Sequence, residues 1–171
     1  MKNFVVCGYS KSGKTTLVKR LIAETNKNVY GFFTEKFPDR LTEDGFCPIY
    51  IYPIGNTPIF NDDHLIGLGG HGTHYTNADA FETKAVEYIT TDDPNGIIFM
   101  DEVGFLEDSA LGFQNKVFEV LSGNIPAVVM MKQKMNFDFM KKLKALPNID
   151  FLELTEDNRD EIFEQIKRAI K

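Results

Sequence analysis

The sequence predicts an α/β fold in which helices cover both faces of a mostly parallel sheet. Apolar runs that do not alternate with polar residues, at 97–100 and 127–131, are typical of strands buried on both faces. Segments with apolar residues at helical spacing alternate with such runs, and strands joined by helices form right-handed crossovers in a parallel sheet. Because no segment has the composition of a linker, residues 1–171 are predicted to form a single domain.

The first elements are a strand, a helix and a second strand. Residues 2–7, with the apolar run at 4–7, predict the first strand, and residues 14–25 place their apolar residues on one face of a helix. Residues 29–34 are rich in aromatic and β-branched residues, which predicts the second strand.

Residues 38–76 differ in kind, because prolines and glycines divide them into short pieces. We interpret them as a β-rich insert at one edge of the sheet. Within it, residues 49–52 and 58–60 are predicted to pair as a hairpin across the turn at 55–56.

The remaining chain alternates regularly. Asn77 or Asp79 is predicted to cap a helix that continues to Ile89. The later elements are predicted to be a strand at 97–100, a helix around 109–122, a strand at 127–131, a helix at 137–146, a strand at 150–154 and a helix from about 157 to 170.

The segment 8–15 matches the full phosphate-binding (Walker A) pattern G-x-x-x-x-G-K-[ST], between a predicted strand and a predicted helix. In such a unit, backbone N–H groups and the positive end of the helix surround a phosphate. Lys14 can reach the β- and γ-phosphates, which also makes it a catalytic candidate, and the Thr15 hydroxyl can bind Mg²⁺. The predicted nucleotide-binding residues of this segment are Gly8, Tyr9, Ser10, Lys11, Ser12, Gly13, Lys14, Thr15 and Thr16.

An acidic pair, Asp101 and Glu102, follows the apolar strand 97–100. A carboxylate at the end of such a strand is the expected partner of a phosphate loop, and we predict that Asp101 holds Mg²⁺ together with Thr15. Glu102 is predicted to activate the attacking water as a general base. The pair resembles the ATPase branch of the P-loop class, so the strand 127–131 is predicted to lie between strands 2–7 and 97–100.

Asn158 and Arg159 follow the last predicted strand. Both are candidates for contact with the nucleobase and ribose, where Arg159 could stack on a base or approach a phosphate through its planar guanidinium. The alternative is a capped helix start with a solvated Arg159, and the sequence leaves both interpretations open.

Composition restricts the class of protein. The net charge is −6, from 19 Lys and Arg against 25 Asp and Glu, and this acidic balance disfavours nucleic acid and membrane surfaces as partners. The two cysteines have neither zinc nor redox spacing, which indicates a reduced, cytoplasmic protein. His71 and His74, with His64 nearby, are interpreted as loop residues rather than metal ligands, because metal sites need three or four ligands.

Four segments of the chain match a known family in order and spacing. They are GYSKSGKT at 8–15, GFFTEK at 31–36, IIFMDEVG at 97–104 and LTEDNRD at 154–160. Together they resemble the cancer-related type of nucleoside-triphosphatases, which are small RecA-like P-loop enzymes. The agreement extends from residue 1 to about 168.

This resemblance implies a three-layer α/β sandwich and Mg²⁺-dependent hydrolysis of nucleoside triphosphates to diphosphate and phosphate, with loose base specificity. By position, residues 8–15 would bind phosphates, Asp101 would hold the metal and Glu102 would activate water. The chain departs from the family at Phe105, where members usually carry a basic residue.

Two other classes of function remain as alternatives. A P-loop kinase would transfer the γ-phosphate to a small molecule or a nucleic-acid end, but the chain has no arginine cluster of the kind that forms a kinase lid. A nucleotide-dependent adaptor would bind without efficient turnover, and Glu102 favours hydrolysis over that alternative. The sequence predicts no particular protein partner.

Overall fold

The computed structural model describes residues 2–70, 73–103, 110–132 and 137–170, without the side chains of residues 73, 74, 102, 103 and 137. Within these residues the chain forms strands and helices in alternation, as predicted. The elements are β1 (Asn3–Gly8), α1 (Lys14–Glu24), β2 (Asn28–Lys36), a short 3₁₀ helix (Pro38–Arg40), β3 (Cys47–Pro53), β4 (Leu65–Gly70), β5 (Thr73–Thr76), α2 (Ala78–Tyr88), β6 (Gly96–Val103), α3 (Leu111–Ser122), β7 (Ala127–Lys132), α4 (Phe137–Lys144), β8 (Ile149–Glu153) and α5 (Arg159–Ile170).

The eight strands of the described residues form one sheet in the order β5-β4-β3-β2-β6-β7-β1-β8. Strands β2, β6, β7, β1 and β8 are parallel, and β3, β4 and β5 add antiparallel strands at the β2 edge. The prediction that the strand 127–131 lies between 2–7 and 97–100 is confirmed, because β7 pairs with both β1 and β6. The carboxyl ends of these three strands therefore meet at one edge of the sheet, where ligands bind in parallel α/β folds.

Two apolar layers cover the two faces of the sheet. Val129 and Met131 pack into the layer with α2, α3 and α4, whereas Val128 and Met130 pack into the layer with α1 and α5. Successive residues of β7 thus face opposite helical layers, which is why this strand has no polar residue until Lys132. The fold is the three-layer α/β sandwich that the sequence predicts.

The predicted hairpin between 49–52 and 58–60 is wrong. Strand β3 pairs with β2 on one side and with β4 on the other, and residues 58–60 belong to no strand. Phe60 instead packs edge-on against Phe37 and Tyr50. Strand β4 was not predicted because its sequence, LIGLGG, contains three glycines, which have low strand propensity.

The helix cap predicted at residue 77 or 79 is confirmed at Asn77. Its Oδ1 accepts a hydrogen bond from the Ala80 N–H at 3.2 Å, at the start of α2. None of the helices in the described part of the chain is long and apolar enough to cross a membrane.

Candidate functional site

The phosphate-loop segment forms a tight turn between β1 and α1. Lys11 and Gly13 both have positive φ angles, 66° and 99°, and the Ser12 N–H donates to the Tyr9 carbonyl at 3.2 Å. The turn and the first residues of α1 border an open depression of about 250 Å³. Its lining consists of Ser10, Lys11, Gly13, Lys14, Thr15 and Thr16. Backbone N–H groups at a helix N-terminus, in a loop with left-handed residues, make this depression suited to an anion.

Lys14 is buried, with 7% of its surface exposed. Its Nζ donates to the carbonyl oxygens of Gly8 at 2.9 Å and of Tyr9 at 2.7 Å. The ammonium is therefore held inside the turn as a fixed positive charge, beside the depression that the loop borders.

Thr15 and Asp101 connect α1 to the end of β6. The Thr15 hydroxyl lies 3.0 and 3.3 Å from the two carboxylate oxygens of Asp101, to which it donates. Asp101 is 1% exposed. A hydroxyl and a carboxylate are the oxygen donors that Mg²⁺ prefers, so the two residues predicted to hold the metal fit that ion.

Glu102 belongs to β6 and directly follows Asp101, but its side chain lies outside the described residues. Its role as the general base stays a prediction. Phe105 also falls outside the described part of the chain.

Asn158 and Arg159 take different positions. Asn158 Oδ1 accepts from the Thr155 N–H and its Nδ2 donates to the Glu153 carbonyl, each at 2.8 Å, so Asn158 closes its own turn. Arg159 Nε donates to the Ser12 carbonyl at 2.7 Å. A Cβ added to Gly13 would lie only 2.8 Å from this Nε. The guanidinium therefore supports the phosphate loop from the side of β8, a contact that neither interpretation of the sequence contains.

The end of β2, for which the sequence predicted no role, also reaches this edge of the sheet. The Thr34 hydroxyl donates to the Asp101 carbonyl at 3.3 Å. Next to it, the Tyr52 hydroxyl of β3 donates to Glu35 Oε2 at 2.6 Å. The only sequence signal was the segment 31–36, which contributed to the family resemblance without indicating a function for Glu35.

Burial is the main cause that raises the pKa of the Tyr52 phenol, and the hydrogen bond and charge of Glu35 and the charge of Asp101 raise it further. Tyr52 is therefore protonated and a hydrogen-bond donor throughout the physiological pH range. The charge of Asp101 therefore acts on the Tyr52 hydroxyl, which bonds to Glu35.

His64 is buried and takes part in no metal cluster among the described residues. Its ring nitrogens contact Asn61 Oδ1 and the Tyr88 hydroxyl, and burial lowers its pKa. His71, and the side chain of His74, fall outside the described part of the chain.

Comparisons with known proteins agree with this geometry. A family model described as NTPase matches residues 3–167. The chain is 27% identical to a nucleoside-triphosphatase THEP1 from Aquifex aeolicus, over 95% of each chain, and 26% identical to a nucleoside-triphosphatase THEP1 from Natranaerobius thermophilus, over 99% of this chain and 96% of that one.

Two solved structures have the same fold. One is the crystal structure of THEP1 from the hyperthermophile Aquifex aeolicus, with a TM-score of 0.78 and 24% identity, covering 100% of this chain and 99% of that one. The other is the solution structure of a human cancer-related nucleoside triphosphatase, with a TM-score of 0.76 and 16% identity, covering 100% of this chain and 98% of that one.

Proposed function

The chain belongs to the NTPase family, and from this premise we propose how its site hydrolyses nucleoside triphosphates. The chain is a nucleoside-triphosphatase, as its curated relatives are. The proposal adds the cofactor, the residues and the base preference. It assigns Mg²⁺ as the cofactor and residues 8–16 as the phosphate-binding segment. We propose that ATP, GTP and the pyrimidine triphosphates are all substrates and are hydrolysed at comparable rates.

The observation that supports the proposal best is the hydrogen-bonded pair of Thr15 and Asp101. It joins the helix that follows the phosphate loop to a buried carboxylate at the end of β6. A buried carboxylate is costly unless hydrogen bonds or a cation compensate it. The Asp101 carboxylate and the Thr15 hydroxyl are oxygen donors of the kind that Mg²⁺ prefers, so the pair suits this cation. Bound there, Mg²⁺ would neutralise charge on the β- and γ-phosphates.

Each remaining residue has one proposed task. Lys14 stabilises the negative charge of the β- and γ-phosphates, and the N–H groups of the loop bind the same oxygens. Glu102 accepts a proton from water as the water oxygen attacks the γ-phosphorus. The bond between that phosphorus and the bridging oxygen then breaks, which leaves the diphosphate and inorganic phosphate as products.

Loose base specificity follows from the side chains that we propose for the nucleobase. Arg159 offers a planar guanidinium whose Nε is already bound to Ser12, so only its remaining surface could stack on a base. Stacking of this kind depends weakly on base identity. Asn158 uses both the oxygen and the nitrogen of its side-chain amide in hydrogen bonds within its own turn. We therefore propose that it shapes the loop near the ribose and makes no contact that distinguishes one base from another.

No described contact favours the kinase alternative. Arg20 pairs with Asp160, and the Arg40 guanidinium lies 3.7 Å from the Phe60 ring centre, so both arginines are engaged elsewhere. We also propose a cytoplasmic location, which the acidic balance and the two unpaired cysteines support.

The test of this proposal is a phosphate-release assay across ATP, GTP, CTP and UTP, with Mg²⁺ or with a chelator. We expect hydrolysis of all four substrates within about tenfold of one another, and loss of activity with the chelator. In the Asp101→Asn variant the Mg²⁺ concentration for half-maximal activity should rise by about tenfold or more, since one ligand charge is lost. Unchanged metal dependence in this variant would remove Asp101 from the metal site. Activity only in the presence of a phosphate acceptor would instead identify a kinase.

A further inference from the structure

Glu35 is an exposed carboxylate at the carboxyl end of β2, beside the site described above. Strand β2 is parallel to β6, and Phe32 pairs with Met100. The next residues along the two strands are Phe33 and Asp101. Glu35 lies two residues beyond Phe33, so its backbone is about 7 Å farther than Phe33 toward the edge of the sheet where ligands bind.

Glu35 also lies on the same face of the sheet as Asp101. Phe33 and Tyr52 pack into the apolar layer beneath α1, and the Asp101 carboxylate contacts Thr15 of α1. Because alternate residues of a strand share a face, Glu35 extends from the face of Phe33. Its contact with the Tyr52 hydroxyl agrees with this placement.

Tyr52 holds the Glu35 carboxylate by one oxygen. Tyr52 is only 6% exposed, and its 2.6 Å hydrogen bond to Glu35 Oε2 joins diagonal neighbours on the antiparallel pair β2 and β3. Among the described residues, Oε1 of Glu35 has no hydrogen-bond partner. The result is an oriented negative charge with one oxygen available at the rim of the site.

We propose that Glu35 accepts a hydrogen bond from the attacking water and thereby orients it toward the γ-phosphorus, while Tyr52 positions Glu35. The proposal rests on the proposed function of the site. The water proton that is lost in the reaction goes to Glu102, so Glu35 keeps its charge and transfers no proton. Fixing the direction of a nucleophile in this way removes part of the entropic barrier to attack.

The competing explanation is structural. A buried tyrosine hydroxyl needs a hydrogen-bond partner, and Glu35 supplies one to Tyr52. This explanation predicts a loss of stability when Glu35 is replaced, without a change in kcat per folded molecule. The proposal predicts that kcat falls even where stability does not.

The experiment compares Glu35→Gln, Tyr52→Phe and the double variant with the parent enzyme. Nucleotide affinity is measured by calorimetry, turnover by phosphate release, and folding by denaturant titration. Asp39→Asn is the matched control, because it removes one exposed negative charge four residues along the chain. Glu35→Gln retains the ability to accept a hydrogen bond from Tyr52, so it isolates the charge that faces the water.

We expect Glu35→Gln to lower kcat by about ten- to a hundredfold with nucleotide affinity unchanged within about threefold. Tyr52→Phe should lower kcat by a smaller factor, and the double variant should resemble Glu35→Gln, because Tyr52 acts only through Glu35. Asp39→Asn should match the parent. Parent-like kcat in folded Glu35→Gln would overturn the proposal, as would fully multiplicative losses in the double variant. A parent protein without hydrolytic activity would contradict the proposed function itself.

Discussion

The two ends of helix α1 border two depressions that differ in size and in chemistry. The depression at the N-terminal end is bordered by the phosphate loop and has a volume of about 250 Å³. Lys14 is among the residues that line it. At the C-terminal end lies a larger cavity of about 370 Å³, lined among others by Leu21, Glu24 and Lys167. The larger cavity is not the better candidate for an anionic substrate.

The difference between the two ends comes from charge and backbone orientation. The N-terminus of a helix presents unpaired N–H groups and a partial positive charge, whereas the C-terminus presents carbonyl oxygens and a partial negative charge. Lys14 Nζ donates to two carbonyl oxygens of the phosphate loop, which hold its positive charge beside the smaller depression. Lys167 forms a salt bridge with Glu24, which neutralises its charge. Volume alone therefore does not identify a binding site in this fold.

The largest expected effect on nucleotide affinity is that of Lys14→Ala. Removal of a charge-assisted hydrogen bond to the β- and γ-phosphates should weaken ATP binding by about a hundredfold. The matched control is Lys167→Ala at the other end of α1, which should leave ATP affinity unchanged. Calorimetry on both variants checks the comparison, and near-parental ATP affinity in Lys14→Ala would contradict it.

Gly13→Ala should have the next largest effect. Its φ of 99° is unfavourable for alanine, and the new Cβ would lie 2.8 Å from Arg159 Nε. Gly55→Ala is the matched control, because Gly55 has a similar φ of 90°, whereas a Cβ added there would have no heavy atom within 4 Å. Both variants should lose about 1 kcal/mol of stability through backbone strain, but only Gly13→Ala should also lose nucleotide affinity. Equal ATP affinity in the two variants would show that the contact with Arg159 does not matter.

The smallest expected effect is that of Lys167→Gln. Glu24 raises the pKa of Lys167 above its ordinary value of 10.5, so the folded state holds this proton more tightly than the unfolded state does. This contribution to stability is complete below about pH 10 and is lost as the pH rises through the pKa of the folded state. Since Glu24 is exposed and Lys167 is only half-buried, the variant should show only a small decrease in melting temperature at pH 8, and 1 M salt should reduce that decrease. A large, salt-independent decrease would contradict this account of the larger cavity.

The order of the central strands could be predicted because few residues determine it. A phosphate-binding motif at the end of one apolar run and an acidic pair at the end of another indicated a known arrangement, and β7 lies between β1 and β6 as expected. The strands of the insert were harder to predict, because β4 and β5 form through pairing with neighbouring strands rather than through a high strand propensity of their own residues. Gly67 illustrates this, since a Cβ there would lie 2.9 Å from the Tyr75 carbonyl of the neighbouring strand.

In the candidate site, too, some contacts could be predicted from the sequence and others could not. Thr15 and Asp101 could be paired from the sequence, because each belongs to a motif with a known geometry. The support of Ser12 by Arg159 and the contact between Tyr52 and Glu35 could not, because both join segments whose register is set only by tertiary packing. Local motifs therefore identify the residues that contact a substrate more readily than the residues that position them.

The most direct test of the central claim, hydrolysis at the N-terminal end of α1, is the Glu102→Gln variant. Glutamine keeps the size and hydrogen-bonding reach of the side chain but cannot accept the proton of the attacking water. Nucleotide affinity should stay within a few-fold of the parent, because binding depends on the loop, Lys14 and Mg²⁺. Steady-state phosphate release should fall by about a hundredfold or more. Retained hydrolysis with normal binding would contradict the account, and would show that another group activates the water.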